Sequence, residues 1–287
     1  MPAKRRSPPF PEWLAIIEPH WIWNWQHQKL IYEKLDEITN GNNRRLMIFL
    51  PPRHSKSETV TVRYSAWRLE KEPKLNIILG SYNQKLANRF SRKIRRIAEH
   101  RIKLSPDRKA ADEWETASGG GVRAVGVGAG VTGFGAGLIV IDDPVKNRAE
   151  AESPTFRERV WDWFNDDIYT RLEPGASIVM IQTRWHEDDL AGRIIKSVEN
   201  GGEPWNVLSL SALAETPPQV RADEWTDELG RRDGDALCPE RFDRDALLRI
   251  RQQLGSYSFA ALYQQQPVPA EGGLFKRAWF KRFVDSP

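Results

Sequence analysis

The chain has 287 residues, 40% of them apolar and 29% charged, with a formal net charge of +4. Those values are those of a globular chain with enough core for one or two domains, and no run of about 18 apolar residues is present to suggest a membrane-spanning helix. A single cysteine, Cys238, excludes an internal disulfide and a cysteine-based zinc site, and fits a reducing compartment.

Residues 1–12 are basic and proline-rich and are expected to form a mobile arm; no apolar run follows the charges, so they are no secretory signal. Leu30, Ile31, Leu35 and Ile38 then recur at helical spacing, and Asn40-Gly41-Asn42 predicts the stop. Gln28, at the head of this helix, is a candidate for reading adenine, with Gln26 the alternative. A carboxamide matches both the donor and the acceptor edge of that base. A solvated surface glutamine is the plain reading.

Residues 46–50 form a continuous apolar run, as a strand buried on both faces would. Pro51 and Pro52 stop it, and Arg53, His54, Ser55, Lys56 and Ser57 lead into a helix predicted over 58–70. Strand, tight loop, Lys-Ser and helix have the layout of a phosphate-binding loop (Walker A). Helix N-terminal N–H groups bind anions, Lys56 would reach the outer phosphates, and the Ser57 hydroxyl would sit on Mg2+. The formal pattern asks for glycine at 50 and 55, where this chain has Leu50 and Ser55. The loop alone therefore leaves open a plain strand-to-helix turn with a solvated lysine.

Residues 75–80 predict a second strand. In the helix that follows, Leu86, Ala87, Phe90, Ile94 and Ile97 mark one face, and Arg89, Arg92, Lys93, Arg95 and Arg96 the other. The basic face is either a contact for DNA phosphates or simply solvated. Residues 105–117 are polar and read as loop. Residues 119–137 include nine glycines, with Val122, Ala124 and Val125 suggesting a strand; a strand rather than a helix follows, so this is no dinucleotide fingerprint. Residues 137–144 predict a buried strand ending in Asp142 and Asp143 (Walker B), and ligands of parallel sheets bind at such carboxyl ends. One acid there can hold Mg2+ through water, and a second can orient or deprotonate the attacking water. The two motifs together favour a nucleotide hydrolase.

An amphipathic helix is predicted over 154–169, with Phe156, Val160, Trp163, Phe164 and Ile168 inward. A strand over 177–182 runs into Thr183-Arg184-Trp185-His186-Glu187-Asp188-Asp189, whose acids read as a helix cap rather than a metal site. A further strand (205–210), an irregular stretch (214–240) and two helices (243–254 and 256–265) precede a linker from 267. Strands alternating with helices imply a mostly parallel central sheet flanked by helices, the α/β layout of P-loop nucleoside triphosphatases.

Leu50-Pro-Pro-Arg-His-Ser-Lys-Ser-Glu, Gly80-Ser-Tyr, Leu138-Ile-Val-Ile-Asp-Asp-Pro and Thr183-Arg-Trp-His-Glu-Asp-Asp-Leu-Ala-Gly resemble, in order and spacing, the large subunit of tailed-phage DNA-packaging terminases. Leu237-Cys-Pro-Glu-Arg-Phe and Tyr263-Gln-Gln-Gln-Pro extend the resemblance over nearly the whole chain. It implies an additional-strand type of P-loop ATPase core (13–212), a small helical lid subdomain (213–266) and a linker (267–287) toward a nuclease domain. By resemblance, Lys56 contacts the β- and γ-phosphates, Arg53 reaches the γ-phosphate, and Ser57 and Asp142 support Mg2+. Asp143 stands in the catalytic position, Pro52, His54, Ser55 and Glu58 complete the nucleotide loop, and Thr183 with Arg184 lies in the motif coupling hydrolysis to movement.

The implied ligands are ATP and Mg2+. The implied partners are double-stranded DNA, the portal protein of the procapsid, the small terminase subunit and further copies in a docked ring, with no membrane. The implied place is the host cytoplasm, transiently the procapsid portal, and not the mature virion. The resemblance implies an ATP-hydrolysing motor that translocates DNA; the alternative is a nucleic-acid-binding or assembly module with a degenerate, inactive site. Three departures stand out: Ser55 replaces the usual loop glycine, Asp143 the usual Glu, and residues 131–137 lack the basic residue that acts across subunits in some relatives. Arg148, Arg157 and Arg184 are candidates for that role by position. No DNA cleavage is expected, because the chain ends a few residues past the segment (273–280) after which relatives begin their nuclease strands.

Overall fold

The computed structural model describes residues 7–217, 220–221 and 224–268. All five residues of strand β1 (Arg45–Phe49) are buried, as the apolar run requires of a strand covered on both sides. Seven further strands join it: β2 (Asn76–Ser81), β3 (Leu104–Lys109), β4 (Glu113–Thr116), β5 (Gly121–Gly126), β6 (Ala136–Asp142), β7 (Leu172–Gln182) and β8 (Asn206–Ser209). They form one sheet in the order β3-β4-β5-β2-β6-β7-β1-β8. The six strands from β5 to β8 in that order run parallel, and β3 and β4 run antiparallel at one edge. Strand β7 separates β1 from β6, which is the additional-strand arrangement.

Side chains alternate across the sheet. Leu46, Ile48, Leu138, Val140, Val179 and Ile181 enter one core layer, with residues of helix α2 (Gln26–Asn40) and helix α4 (Gln84–Ala98). Met47, Phe49, Ile139, Ile141, Ile178 and Met180 enter the opposite layer, with helix α6 (Pro154–Asp162) and helix α7 (Leu190–Glu199). Helix α2 ends at Gly41, whose φ of 76° gives the left-handed C-cap the sequence suggested. Ala212, Leu213, Leu247 and Phe259 make a third, small cluster, built largely on helix α8 (Arg244–Leu262), which breaks at Gly255.

Three expectations need correction. Residues 105–117 are not loop but hold most of the hairpin β3–β4. Its polar residues satisfy the edge of a sheet rather than a core, and Glu113 is paired by Arg108 and Arg123. The arm is shorter than 1–12: helix α1 (Phe10–Ile17) starts at Phe10, which packs edge-on against Tyr32 and Tyr64 at 5.5 Å. The helix predicted over 58–70 is wound as a π-helix over Ser57–Tyr64 and only then as helix α3 (Ser65–Lys71). The linker from 269 onward, with the segment 273–280, lies outside the described residues. Among the described residues no helix is long and apolar enough to cross a membrane.

Candidate active site

Because β1, β7 and β6 are parallel neighbours, the turn after β1, the turn after β7 and the end of β6 open on one edge of the sheet. Lys56 arrives from the first, Thr183 from the second, and Asp142 and Asp143 from the third. The Lys56 ammonium is almost fully buried; it donates to Thr183 Oγ1 at 2.7 Å and pairs with Asp143 Oδ2 at 3.1 Å. The other Asp143 oxygen, Oδ1, accepts the Thr183 N–H at 2.8 Å. Asp143 holds this pose with a left-handed φ of 44°, a strained conformation that Asp tolerates better than most residues.

Asp142 faces the other way. Its Oδ1 accepts the Ser57 hydroxyl at 3.0 Å and its Oδ2 the Thr61 hydroxyl at 2.6 Å. A π turn closes i→i+5 hydrogen bonds and so holds more residues than an α turn. Side chains four apart then stand nearly in line, and Ser57 and Thr61 reach one carboxylate. Asp142 is 1% exposed. Burial first, and then the neighbouring Asp143 charge, push its carboxyl well above the ordinary carboxylate range. An anionic Asp142 at this spot calls for a cation. A buried carboxylate and a hydroxyl are hard oxygen donors of the kind Mg2+ takes when phosphates and water fill its other positions. The residues therefore fit Mg2+.

In the loop, Arg53 and Ser55 both have positive φ, 66° and 67°. Arg53 is exposed and makes no ion pair with any described residue. His54 is buried, and its Nδ1 lies 2.9 Å from the Pro52 carbonyl oxygen. Its ring packs 5.9 Å from His27 of α2 and 5.5 Å from Phe242, tying helix, loop and the third cluster together. Burial holds His27 down to about 3 and His54 down to about 4, so both rings are neutral at pH 7. Glu58 is not turned into the loop: Arg63 and Lys93 bind its carboxylate. Burial alone would raise it, and the two cations outweigh burial and lower it.

A residue other than glycine in the left-handed region costs about 1–2 kcal/mol. Among the described residues the Ser55 hydroxyl makes no hydrogen bond that offsets this. Ser55→Gly removes the strain and returns part of the gain through the looser unfolded chain. The expected net effect is a rise in melting temperature of about 1–3 °C, measured calorimetrically; an unchanged or lower melting temperature would show the left-handed turn to be unstrained.

Gln28 is buried, and its carboxamide is spent on the chain that precedes it. Its oxygen accepts the Trp25 N–H at 3.2 Å, and its nitrogen donates to the Ile22 carbonyl at 3.4 Å, capping α2. The structure therefore does not bring Gln28 to an open base site. Gln26 is exposed and lines a cavity of about 440 Å³ with Trp25, Arg231, Leu237 and Pro239.

Thr183 touches both Lys56 and Asp143, and the next residue reaches the turn after α8: the Arg184 N–H donates to Gln265 Oε1 at 3.2 Å. The Arg184 side chain is buried on Asp189 at 2.8 Å, and Asp189 also caps α7 through the Gly192 N–H. The adjacent Gln264 holds Leu213 by both backbone groups, at 3.0 and 2.9 Å. Arg148 and Arg157 are likewise engaged within the chain, Arg148 with Glu152 and Ser258 and Arg157 with Asp188. Sequence reasoning missed Thr61 and Gln265. Thr61 follows Ser57 by four residues on the same predicted helix, and Gln265 stands in a motif that resembles the family without a stated role.

A family model described as "Terminase large subunit, T4likevirus-type, N-terminal" matches residues 47–282. No curated protein matches the sequence. Among solved structures, the large terminase of bacteriophage HK97 superposes with a TM-score of 0.54 at 13% identity, over 82% of this chain and 50% of that one. The ATPase domain of the Thermus phage P74-26 large terminase superposes with a TM-score of 0.50 at 12% identity, over 92% of this chain and all of that one. The chain thus spans about half the length of the HK97 protein.

Proposed function

The chain belongs to the family of terminase large subunits, and from that premise we propose that it is an ATP-hydrolysing motor domain that translocates double-stranded viral DNA into procapsids. The observation that carries the reading is the buried Lys56 ammonium, shared between Thr183 and the Asp143 carboxylate.

The γ-phosphate of ATP offers Lys56 a better partner than a neutral hydroxyl, and drawing the ammonium to it uncovers Asp143 Oδ2. Asp143 stays aimed, because the Thr183 N–H still holds Oδ1. The uncovered oxygen then orients the attacking water and takes its proton. Arg53, exposed at the loop, adds positive charge to the γ-phosphate, and Pro52, His54 and Ser55 shape the backbone cradle around it. Ser57 and Asp142 would hold Mg2+, which when bound neutralises charge on the β- and γ-phosphates. Thr183 and Arg184 link this event to the lid side through Gln265. For the base, Gln26 beside Trp25 faces open space, whereas Gln28 would have to release α2 to take part.

The partners in this reading are duplex DNA, the procapsid portal, the small terminase subunit and further copies of the chain in a docked ring. It would act in the host cytoplasm and transiently at the portal. Phosphate release from MgATP, rising when duplex DNA is added, is the expected result. Absence of turnover together with absence of nucleotide binding at millimolar ligand would replace the reading with a nucleic-acid-binding module whose site is inactive.

A further inference from the structure

Helix α4 lies on the sheet with Ala87, Phe90, Ser91 and Ile94 buried beneath it. Its outer surface is a row of cations. Lys85, Arg89, Arg92 and Arg96 are all exposed, and their spacing of four, three and four places them on one narrow stripe of the helix. None of the four has an ion pair or a side-chain hydrogen bond with any described residue. The other two cations of the helix are used differently: Lys93 binds Glu58 and Arg95 donates to the Lys109 carbonyl. Glu99 follows the row at its far end, and Glu58 is held by Lys93 beside it.

The row rises about 17 Å along the helix axis at 1.5 Å per residue. The same length of duplex axis carries about ten phosphate charges. The stripe contains no apolar residue. Protein interfaces enrich arginine but set it around an aromatic or apolar centre; this stripe has no such centre, so a bare row of cations matches a polyanion better than a protein surface. The row is also held in place. Asn83 Oδ1 caps the helix by accepting the Leu86 N–H at 2.9 Å. Gly126 lets the end of β5 approach so closely that a Cβ there would stand 2.4 Å from the Gln84 nitrogen. Strand β2, parallel to β6, delivers the start of α4 to the same edge of the sheet as Asp142.

Resting on the motor reading above, we propose that the outer stripe of α4, formed by Lys85, Arg89, Arg92 and Arg96, is a binding face for the phosphate backbone of duplex DNA. The contact is electrostatic and independent of base sequence. It lies one residue from Lys93, whose bond to Glu58 joins α4 to the first turn after the nucleotide loop.

Duplex binding, followed by fluorescence anisotropy over a range of salt, tests this. Replacing all four residues by Gln should flatten the slope of log K against log salt by about 3.6, four contacts at about 0.9 each. The single change Arg92→Gln should flatten it by about 0.9. A control that removes the same charge elsewhere, at the exposed Lys29, Lys74, Arg232 and Arg249, should leave the slope as it is. A wild-type slope in the quadruple variant overturns the proposal, as does an equal loss in the control, which would mean that net charge alone drives binding. A changed sedimentation coefficient with an unchanged slope overturns it in favour of a contact between copies. DNA-free MgATP turnover, measured on the same samples, should be the same in all of them. A chain that shows the slope change but no turnover keeps this proposal and loses the motor reading.

Discussion

Lys56→Ala reduces MgATP turnover to the assay baseline, by about 10²–10³-fold or more, the range for removing one positioned donor from developing transition-state charge. The loss has two parts. The substitution removes the buried cation that faces Asp143, and it leaves Asp143 Oδ2 without the partner that it meets at 3.1 Å. The fold should survive, because the Asp143 side chain is 28% exposed and water can solvate the freed carboxylate. Far-ultraviolet circular dichroism and the melting temperature should therefore match wild type closely. A folded variant that turns over ATP at the wild-type rate would remove the phosphate-loop assignment altogether.

Asp143→Asn should separate binding from chemistry. The amide is isosteric, and its oxygen can still accept the Thr183 N–H now bonded to Oδ1 at 2.8 Å. What is lost is the anionic oxygen that orients and deprotonates water. General-base contributions of this type are about 10²–10⁴-fold, so turnover falls by that much while MgATP affinity stays within a few-fold of wild type. The measurements are equilibrium titration with MgATP and single-turnover phosphate release. Loss of affinity with the loss of rate would transfer the metal-supporting role from Asp142 to Asp143, and would contradict the hydrogen bond from Ser57 to Asp142 as a guide to that role.

The central sheet was legible because its middle strands are continuous apolar runs, and burial on both faces leaves no other option for β1 and β6. That the two motifs share one edge was legible for the same reason, since both follow buried parallel strands, but the ion pair of Lys56 with Asp143 was not foreseen. The hairpin β3–β4 was not, because edge strands satisfy water and one another with charges, as Glu113 does with Arg108 and Arg123. Gln28 could not be assigned from its type, since a carboxamide caps a helix as readily as it reads a base. Thr61 and Gln265 were missed because their partners, Asp142 and Arg184, are 81 residues away in each case. At position 55 the pattern asked for glycine, but what the loop uses is a left-handed backbone, and Ser55 adopts it at a φ of 67°.

The place of β7 between β1 and β6 has a mechanical consequence. A strand bonded along both edges cannot shear without breaking two ladders together, five residue pairs to β1 on one side and six to β6 on the other. Its tip is therefore a stiff mount near the nucleotide loop, as are those of β1 and β6, which are also bonded along both edges. The compliant parts are what hangs from that tip, the Lys56 side chain on Thr183 and the Gln265 carboxamide on Arg184. The strand end is thus a fixed point, and the two hydrogen bonds hung on it are the contacts free to yield first.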